Sequence, residues 1–471
     1  MHWVLLIQCL VFLVSCLIVK QKNDCEQMKT HEKNPDSADS TDLQARLIAL
    51  DLLGDVLDRK TPLDQVLDKS SVFAALPARD RGFCRMLLTT TLRRLGQIDD
   101  LIVFAQERPG SLKTPKVLHI LRLGVTQLFF MDVPDHAAVD TSVRLCEDIK
   151  ADKQKGFVNA ILRRLLRDGK ARLDKQDAGR LNTPEWLLKY WISDYGMVTA
   201  AKIANAHLSE APLDITIKGS ENPSYWAGAL NAEILPTGSL RRVAGGNIRD
   251  LEGFDTGNWW IQDASAALPA RLFGDIQGKE VCDLCAAPGG KTLQLASMGA
   301  QVTALDRSTS RLKKLQENVE RMDLQENVHI EVADAAQWTP KSAPHYILLD
   351  APCSATGTIR RHPDTVYLKS PQDIERLMNI QSRLLSHAAD ILTPGGVLVY
   401  CTCSLQKDEG ERQIERLLSA YSDLERWPIT PEELGGLPEL IDENGDVRAL
   451  PIHLEEKGGI DGFYIARLKK N

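Results

Sequence analysis

Two short segments place a cysteine where an extended stretch gives way to a turn: Asp350-Ala351-Pro352-Cys353-Ser354 and Thr402-Cys403-Ser404. Free cysteine is most often a small buried apolar residue, and that reading suits Cys84, Cys146 and Cys282. It suits Cys353 and Cys403 poorly. Each follows an apolar run that reads as a strand, Tyr346-Ile347-Leu348-Leu349 and Gly396-Val397-Leu398-Val399-Tyr400. Each therefore stands at the open end of a sheet, where a thiolate can act as a nucleophile. Composition and spacing do not say which of the two attacks.

Further chemistry is suggested by Asp283-Leu284-Cys285-Ala286-Ala287-Pro288-Gly289-Gly290-Lys291-Thr292. Small residues let a backbone pass close to a ligand, and a helix starting there offers free N–H groups. The Gly-Lys-Thr ending suggests a phosphate cradle. The spacing matches neither G-x-x-x-x-G-K-[ST] nor G-x-G-x-x-G, which disfavours one; a plain strand-to-helix turn is the alternative. Asp306 ends the next strand, about where an acidic residue holds ribose hydroxyls after a glycine loop, roughly 20 residues on. Its alternative is a helix cap. Asp334, in Ala333-Asp334-Ala335, could accept from an adenine amino group or cap a helix, and spacing leaves both open. Lys291 reads either as a cation that eases negative charge or as a solvated helix residue. Cys282 and Cys285 form a C-x-x-C, but no second ligand pair follows, so no metal is expected.

These residues need a scaffold that gathers strand ends. From about Trp259 the sequence alternates strand, turn and helix, which predicts a mostly parallel, doubly wound sheet with ligands at the carboxyl ends of its strands. Residues 43–166 show apolar residues at helical spacing, with breaks at Pro62, Pro77, Pro109-Gly110 and Pro134. Between them, Thr183-Pro184 opens a helix and Leu213-Asp214-Ile215-Thr216-Ile217 alternates as a strand. The expected division is an N-terminal extension over 1–42, polar and disordered over 23–42, then an all-helical domain over 43–172. A small α/β connecting module follows over 173–255, and an α/β domain over 256–471.

With 43% hydrophobic and 26% charged residues, each domain can bury a core. The ten cysteines form no disulfide framework, which points to a reducing, cytoplasmic setting. A formal net charge of -7 argues against a protein coated with positive charge, yet leaves room for local basic faces. Three clusters qualify: Arg93 and Arg94; Lys153 and Lys155 with Arg163, Arg164, Arg167, Lys170 and Arg172; and Arg360, Arg361 and His362. For any one of them a solvated surface is the favoured reading. Residues 3–19 are almost wholly apolar. They read as a membrane anchor, a signal peptide or an upstream extension. The extension is favoured, because nothing downstream looks secreted or membrane-bound, and no stable membrane association is expected.

Taken together, Asp283 to Lys291, Asp350 to Ser354 and Thr402 to Ser404 resemble the defining motifs of the RNA cytosine-C5 methyltransferases of the Sun/Nop family. The segments Trp259-Trp260-Ile261-Gln262-Asp263-Ala264-Ser265, Arg448-Ala449-Leu450-Pro451 and Asp461-Gly462-Phe463-Tyr464 resemble other parts of the same family. Val133-Pro134-Asp135-His136-Ala137-Ala138-Val139 and Lys155-Gly156-Phe157-Val158-Asn159 resemble a NusB-like RNA-binding domain. That pairing is similar to the bacterial Sun/Fmu subfamily, which modifies 16S ribosomal RNA. The resemblance spans roughly 43–471. It departs locally at Glu409-Gly410-Glu411, where the family usually has Asn between the acids.

The resemblance implies a Rossmann-like methyltransferase domain preceded by an all-α NusB-like domain and the connecting module. It implies S-adenosyl-L-methionine as cofactor, held by Cys285, Ala286, Ala287, Pro288, Gly289, Gly290, Lys291, Asp306, Asp334 and Asp350. Cys403 would bond to C6 of the cytosine, Cys353 would serve product release, and Asp350 would contact the cofactor region or the base at N3. The target base must be unstacked. The helical domain and the 153–172 stretch are the candidates for holding RNA phosphates. The expected partner is 16S ribosomal RNA rather than DNA, bound by a monomer. Rival readings are a methyltransferase acting on DNA, a small molecule or another RNA such as tRNA, a non-catalytic RNA-binding factor, and a membrane-anchored enzyme.

Overall fold

A computed structural model describes residues 35–108, 110, 114–242 and 247–471. The apolar stretch 3–19 and the lead-in up to residue 34 lie outside the described residues. The helical unit contains Pro35–Leu57, Ala78–Arg93, Leu95–Ala105, Pro115–Phe129, Asp135–Asp148 and Lys155–Leu173. Prolines punctuate it as expected at the N-caps of two helices (Pro77, Pro134), and Pro115 also opens a third. Leu53, Leu87, Ile98, Leu121 and Leu162 meet in its core. One expectation is corrected. The first helix begins at Pro35, so 35–42 is helical rather than disordered. Proline suits a first helical turn.

The helix Glu185–Ala206, kinked at Gly196, leads to a four-stranded antiparallel sheet. Its strands are β1 (Leu213–Ile217), β2 (Glu233–Ile234), β3 (Leu240–Arg242) and β4 (Trp259–Ile261), in the order β2-β3-β1-β4. Trp260 of β4 pairs with Thr216, so the Trp259-Trp260 segment closes this sheet and hands the chain on to Asp263.

The large sheet is built from β5 (Glu280–Leu284), β6 (Gln301–Asp306), β7 (Val328–Val332), β8 (Tyr346–Asp350), β9 (Val397–Thr402), β10 (Leu424–Arg426), β11 (Val447–Ala449) and β12 (Phe463–Lys470). The order is β10-β12-β9-β8-β5-β6-β7, with β11 paired to β12. Strands β5 to β9 run parallel, whereas β10, β11 and β12 add an antiparallel edge. Alternate residues serve opposite faces. Leu348, Val397 and Val399 join Leu293 and Leu315 of the helices Gly290–Ser297 and Thr309–Arg321. Ile347, Leu349, Leu398 and Tyr400 join Leu385 and Ile414 of Pro371–Ile391 and Glu411–Ala420. The order reverses between β5 and β8, and such a switch point opens a crevice at the carboxyl ends of the strands. Cys285 and Asp350 stand there.

The helical unit docks on the segment that follows Cys353. The Leu63 N–H donates to Asp364 Oδ2 (2.9 Å), Tyr367 Oη donates to the Leu92 carbonyl (2.9 Å), and His362 pairs with Asp64 (3.2 Å). Leu187 and Trp191 of the connecting helix pack with Ile359, Val366, Leu405 and Leu450.

Candidate active site

Strand β5 ends in the turn 285–289, where Cys285 has φ 75° and Gly289 φ 115°. A side chain at Gly289 would collide with Leu315, so only glycine allows the turn to lie against the next helix. Beyond the turn opens a cavity of about 400 Å³, lined by Cys285, Asp306, Asp334 and Pro352 with Arg311 and Arg383 on its rim. Three acceptor-bearing side chains expected to hold a nucleoside thus converge. Asp306 is buried, and its carboxylate accepts from Ala287 N (3.3 Å) and Ser308 N (2.8 Å), which braces the turn against β6. Ser308, not Asp306, caps the helix Thr309–Arg321. Asp334 is exposed and accepts from Ala336 N (3.1 Å). Burial first, then the nearby Asp306, pushes the Cys285 thiol up to about 12, so it stays protonated.

The remaining turn residues place backbone, rather than long side chains, beside this cavity. Ala286, Ala287 and Gly289 are buried beneath the turn, Gly290 is half-buried and Pro288 is exposed. They shape the wall. Asp283, at the root of the turn, is wholly buried; its Oδ2 accepts from Thr292 Oγ1 at 2.6 Å, and its Oδ1 has no partner. Burial raises its carboxyl to about 7, with Asp350 and Asp306 adding to the effect. An orphaned acceptor at the floor of the turn suits a cationic cofactor. Asp283 was visible in the motif but not marked as functional, because its burial arises from strands far apart in sequence.

Lys291 is not a solvated helix residue. Only 11% of its side chain is exposed, and its Nζ lies 2.7 Å from Asp350 Oδ2 and 4.9 Å from the centre of the Phe463 ring. Burial alone would lower its pKa, but Asp350, Cys401 and Cys403 outweigh that and hold the ammonium firmly protonated. Asp350 Oδ1 also accepts from Cys401 Sγ (3.5 Å).

Cys353 and Cys403 come together, with Sγ atoms 3.4 Å apart and both half-buried. Pro352, the neighbour of Cys353, lines the cofactor cavity, so the thiol pair adjoins it. The contact with Cys403 and then burial push the Cys353 thiol well up. The Cys403 loop is braced by Arg448, whose Nη1 donates to the Ser404 carbonyl (2.7 Å) while Nε and Nη2 grip Glu411 (3.0 and 2.5 Å). The arrangement offers paired thiols, a fixed cation and a nucleoside-sized cleft. Among the described residues no group of His, Cys, Asp and Glu could hold a metal ion.

The basic clusters separate. Arg360 is 2% exposed and Arg361 is gripped by Asp263 (2.6 Å) and Asp461 (2.7 Å), with Asp214 3.9 Å away. Arg93 donates to the Arg360 carbonyl (2.9 Å) and Arg94 to the Leu208 carbonyl (3.1 Å). These arginines are therefore held by partners at the seams between units. On Lys155–Leu173, Arg172 pairs with Asp100, Lys155 with Glu147 and Lys170 with Asp174. Arg163 and Arg167 are exposed, and among the described residues no carboxylate pairs with either. Arg163 borders a groove of about 600 Å³ between this helix and Asp135–Asp148.

Comparison with known proteins supports the same picture. Residues 274–469 match the family model described as 16S rRNA methyltransferase RsmB/F, and 43–167 match the NusB family. The probable ribosomal RNA small subunit methyltransferase B of Synechocystis sp. is 33% identical over 454 residues, covering 91% of this chain and 100% of that protein. The ribosomal RNA small subunit methyltransferase B of Pseudomonas syringae pv. tomato is 33% identical over 451 residues, covering 91% and 97%. The crystal structure of PH0851 shares the fold, with a TM-score of 0.72 at 22% identity over 91% of this chain and 98% of that one.

Proposed function

The chain belongs to the 16S rRNA methyltransferase RsmB/F family, and from that premise we propose that it methylates carbon 5 of a cytosine in 16S ribosomal RNA through Cys403. The observation that carries this reading is the thiol pair, 3.4 Å apart, beside the cofactor cavity. S-adenosyl-L-methionine, when bound, supplies an electrophilic methyl group. Cys285, Asp306 and Asp334 would hold its nucleoside part against the turn 286–290, and Asp283 would face its positive charge.

Cytosine C5 is a poor nucleophile until C6 is attacked. The Cys403 thiolate adds to C6, and the ring becomes an enamine that is nucleophilic at C5. Negative charge gathers toward N3, where Asp350 would contact the base and the Lys291 ammonium held on it (2.7 Å) would offset the charge. After methyl transfer the C5 proton must leave, and the C6–S bond then breaks to restore the ring and the Cys403 thiolate. Cys353 serves that second half. Its thiol is held protonated first by its contact with Cys403, and that hold weakens once the Cys403 sulfur is bonded to C6. Cys353 then gives its proton to solvent, takes the C5 proton as a thiolate, and the electrons of the breaking C6–S bond return to the Cys403 sulfur.

Arg163 and Arg167 support phosphate contacts by the helical unit. The division at 43–172, 173–255 and 256–471 belongs to the same reading, as does a monomer acting in the cytoplasm on ribosomal RNA and not on DNA. Free cysteines fit a reducing compartment. Among the described residues no helix is long and apolar enough to cross a membrane.

The test is transfer from tritiated S-adenosylmethionine to 16S RNA, total DNA and a blank in parallel. Label should enter RNA alone. Cys403→Ala should abolish transfer, and Cys353→Ala should accumulate a covalent protein–RNA adduct. A Cys403→Ala protein that still methylates, beside a Cys353→Ala protein that does not, reverses the two roles.

A further inference from the structure

Glu409 is a fully buried carboxylate in the turn Lys407–Glu409 after β9. Among the described residues no Lys, Arg or His pairs with it. A buried charge without a counter-ion must be met by hydrogen bonds, and Glu409 collects four. Its Oε1 accepts from Ser354 N (3.0 Å) and Gln381 Nε2 (2.9 Å), and its Oε2 accepts from Ser404 Oγ (2.6 Å) and Ser354 Oγ. Gln381 Nε2 also donates to the Pro352 carbonyl (2.9 Å).

Three of those donors belong to the two serines that directly follow Cys353 and Cys403. The two loops come from different strands, 50 residues apart in sequence. One carboxylate oxygen therefore receives a hydroxyl from each. The symmetry of Pro-Cys-Ser and Thr-Cys-Ser acquires a physical reason: each serine ties its cysteine to a shared anchor. A buried site that served stability alone would be met as well by apolar side chains.

We propose that Glu409 is a positioning residue for methyl transfer, which fixes the separation and direction of Cys353 and Cys403 by binding Ser354 and Ser404 to one carboxylate. This rests on the function proposed above. The two sulfurs must address adjacent atoms of one ring, C6 and the proton on C5, so their mutual placement governs both halves of the reaction. A misplacement of about 1 Å costs on the order of 100-fold in rate. The charge of Glu409 also adds, after Cys403 and burial, to what keeps Cys353 protonated.

The experiment uses the full chain with Glu409→Gln and, separately, the double variant Ser354→Ala/Ser404→Ala. Glutamine keeps the volume but cannot accept from all four donors; the double variant keeps the carboxylate and removes its grip. Three readouts are taken: dissociation constant for S-adenosylmethionine, kcat with 16S RNA, and the rate at which diamide joins Cys353 to Cys403. Both variants should bind cofactor within threefold of the parent, lose on the order of 100-fold in kcat, and cross-link at least tenfold more slowly. Unchanged kcat and cross-linking in either folded variant overturns the proposal. So does loss of cofactor affinity in step with kcat, the sign of general unfolding. If Glu409→Gln does not fold, the serine variant decides. Parent protein whose methylation ignores Cys403 sinks the proposed function instead, and the cross-linking rate then still decides whether Glu409 sets the thiol geometry.

Discussion

Asp283→Asn should abolish a specific pH dependence of stability. The Asp283 carboxyl is raised from 3.8 to about 7, with burial as the main cause. A group whose pKa is higher folded than unfolded binds its proton more tightly in the folded state. Its contribution is complete below the unfolded value and is lost as pH rises through the folded one. At ~1.4 kcal/mol per pH unit the limit is on the order of 4 kcal/mol. Between pH 5 and pH 8 about 2–3 kcal/mol should disappear, equal to roughly 5–10 °C in Tm for a unit of this size. The assay is thermal unfolding of the cofactor-free protein in steps from pH 5 to 8, with asparagine as the reference that cannot titrate. Thr292 can still donate to the asparagine oxygen, so any packing penalty shifts the whole curve and leaves its slope intact. Parallel curves for the two proteins, or a parent that gains on the variant as pH rises, would refute burial as the dominant influence on this carboxyl.

Other perturbations separate the remaining roles. Gly289→Ala forces a side chain into φ 115° and against Leu315; strain of roughly 1–3 kcal/mol should weaken S-adenosylmethionine binding about 5- to 150-fold, measured by calorimetry. Arg361→Ala leaves Asp263 and Asp461 without their shared cation and should cost about 3–5 kcal/mol in denaturant unfolding. It should leave the salt dependence of RNA binding unchanged, whereas Arg163→Ala should lower that slope by about one. His362 is raised chiefly by its hydrogen bond to Asp64, so the pair stabilises docking below the ordinary histidine pKa and fades as pH rises through the folded one. Both side chains are about half exposed, which limits the effect to roughly 1 kcal/mol or less. The Tm advantage of the parent over His362→Gln should be larger at pH 6 than at pH 9.

What the sequence disclosed depended on how local the cause was. Strands β5 to β9 follow from short apolar runs, and the cofactor turn follows from small residues at the end of one. The convergence of Asp306, Asp334 and Cys285 on a single cavity follows from their places at successive strand ends. The antiparallel edge of β10, β11 and β12 was not legible, because pairing between β9 and β12 joins residues more than 60 positions apart. Arg360 and Arg361 read as a basic surface because their partners, Asp214, Asp263 and Asp461, lie about 100 or more residues away. Glu409 was noted only within Glu409-Gly410-Glu411, where the family usually has Asn between the acids. Its burial is set by a helix, Pro371–Ile391, whose Gln381 reaches it from 28 residues before.

The seam between Leu63, Leu92 and the segment 359–367 has a practical consequence for anyone dissecting this protein. The chain reads as separable modules, yet Ile359, Val366 and Tyr367 are roofed by residues that precede the catalytic half. Excising 256–471 would strip Leu187, Trp191 and Leu92 from that roof and leave an oily, unpaired strip beginning at Ile359, just after Cys353-Ser354. Such a fragment would be prone to self-association. The boundary that looks cleanest on paper is therefore a poor place to cut, and a durable catalytic fragment would carry polar replacements along that strip.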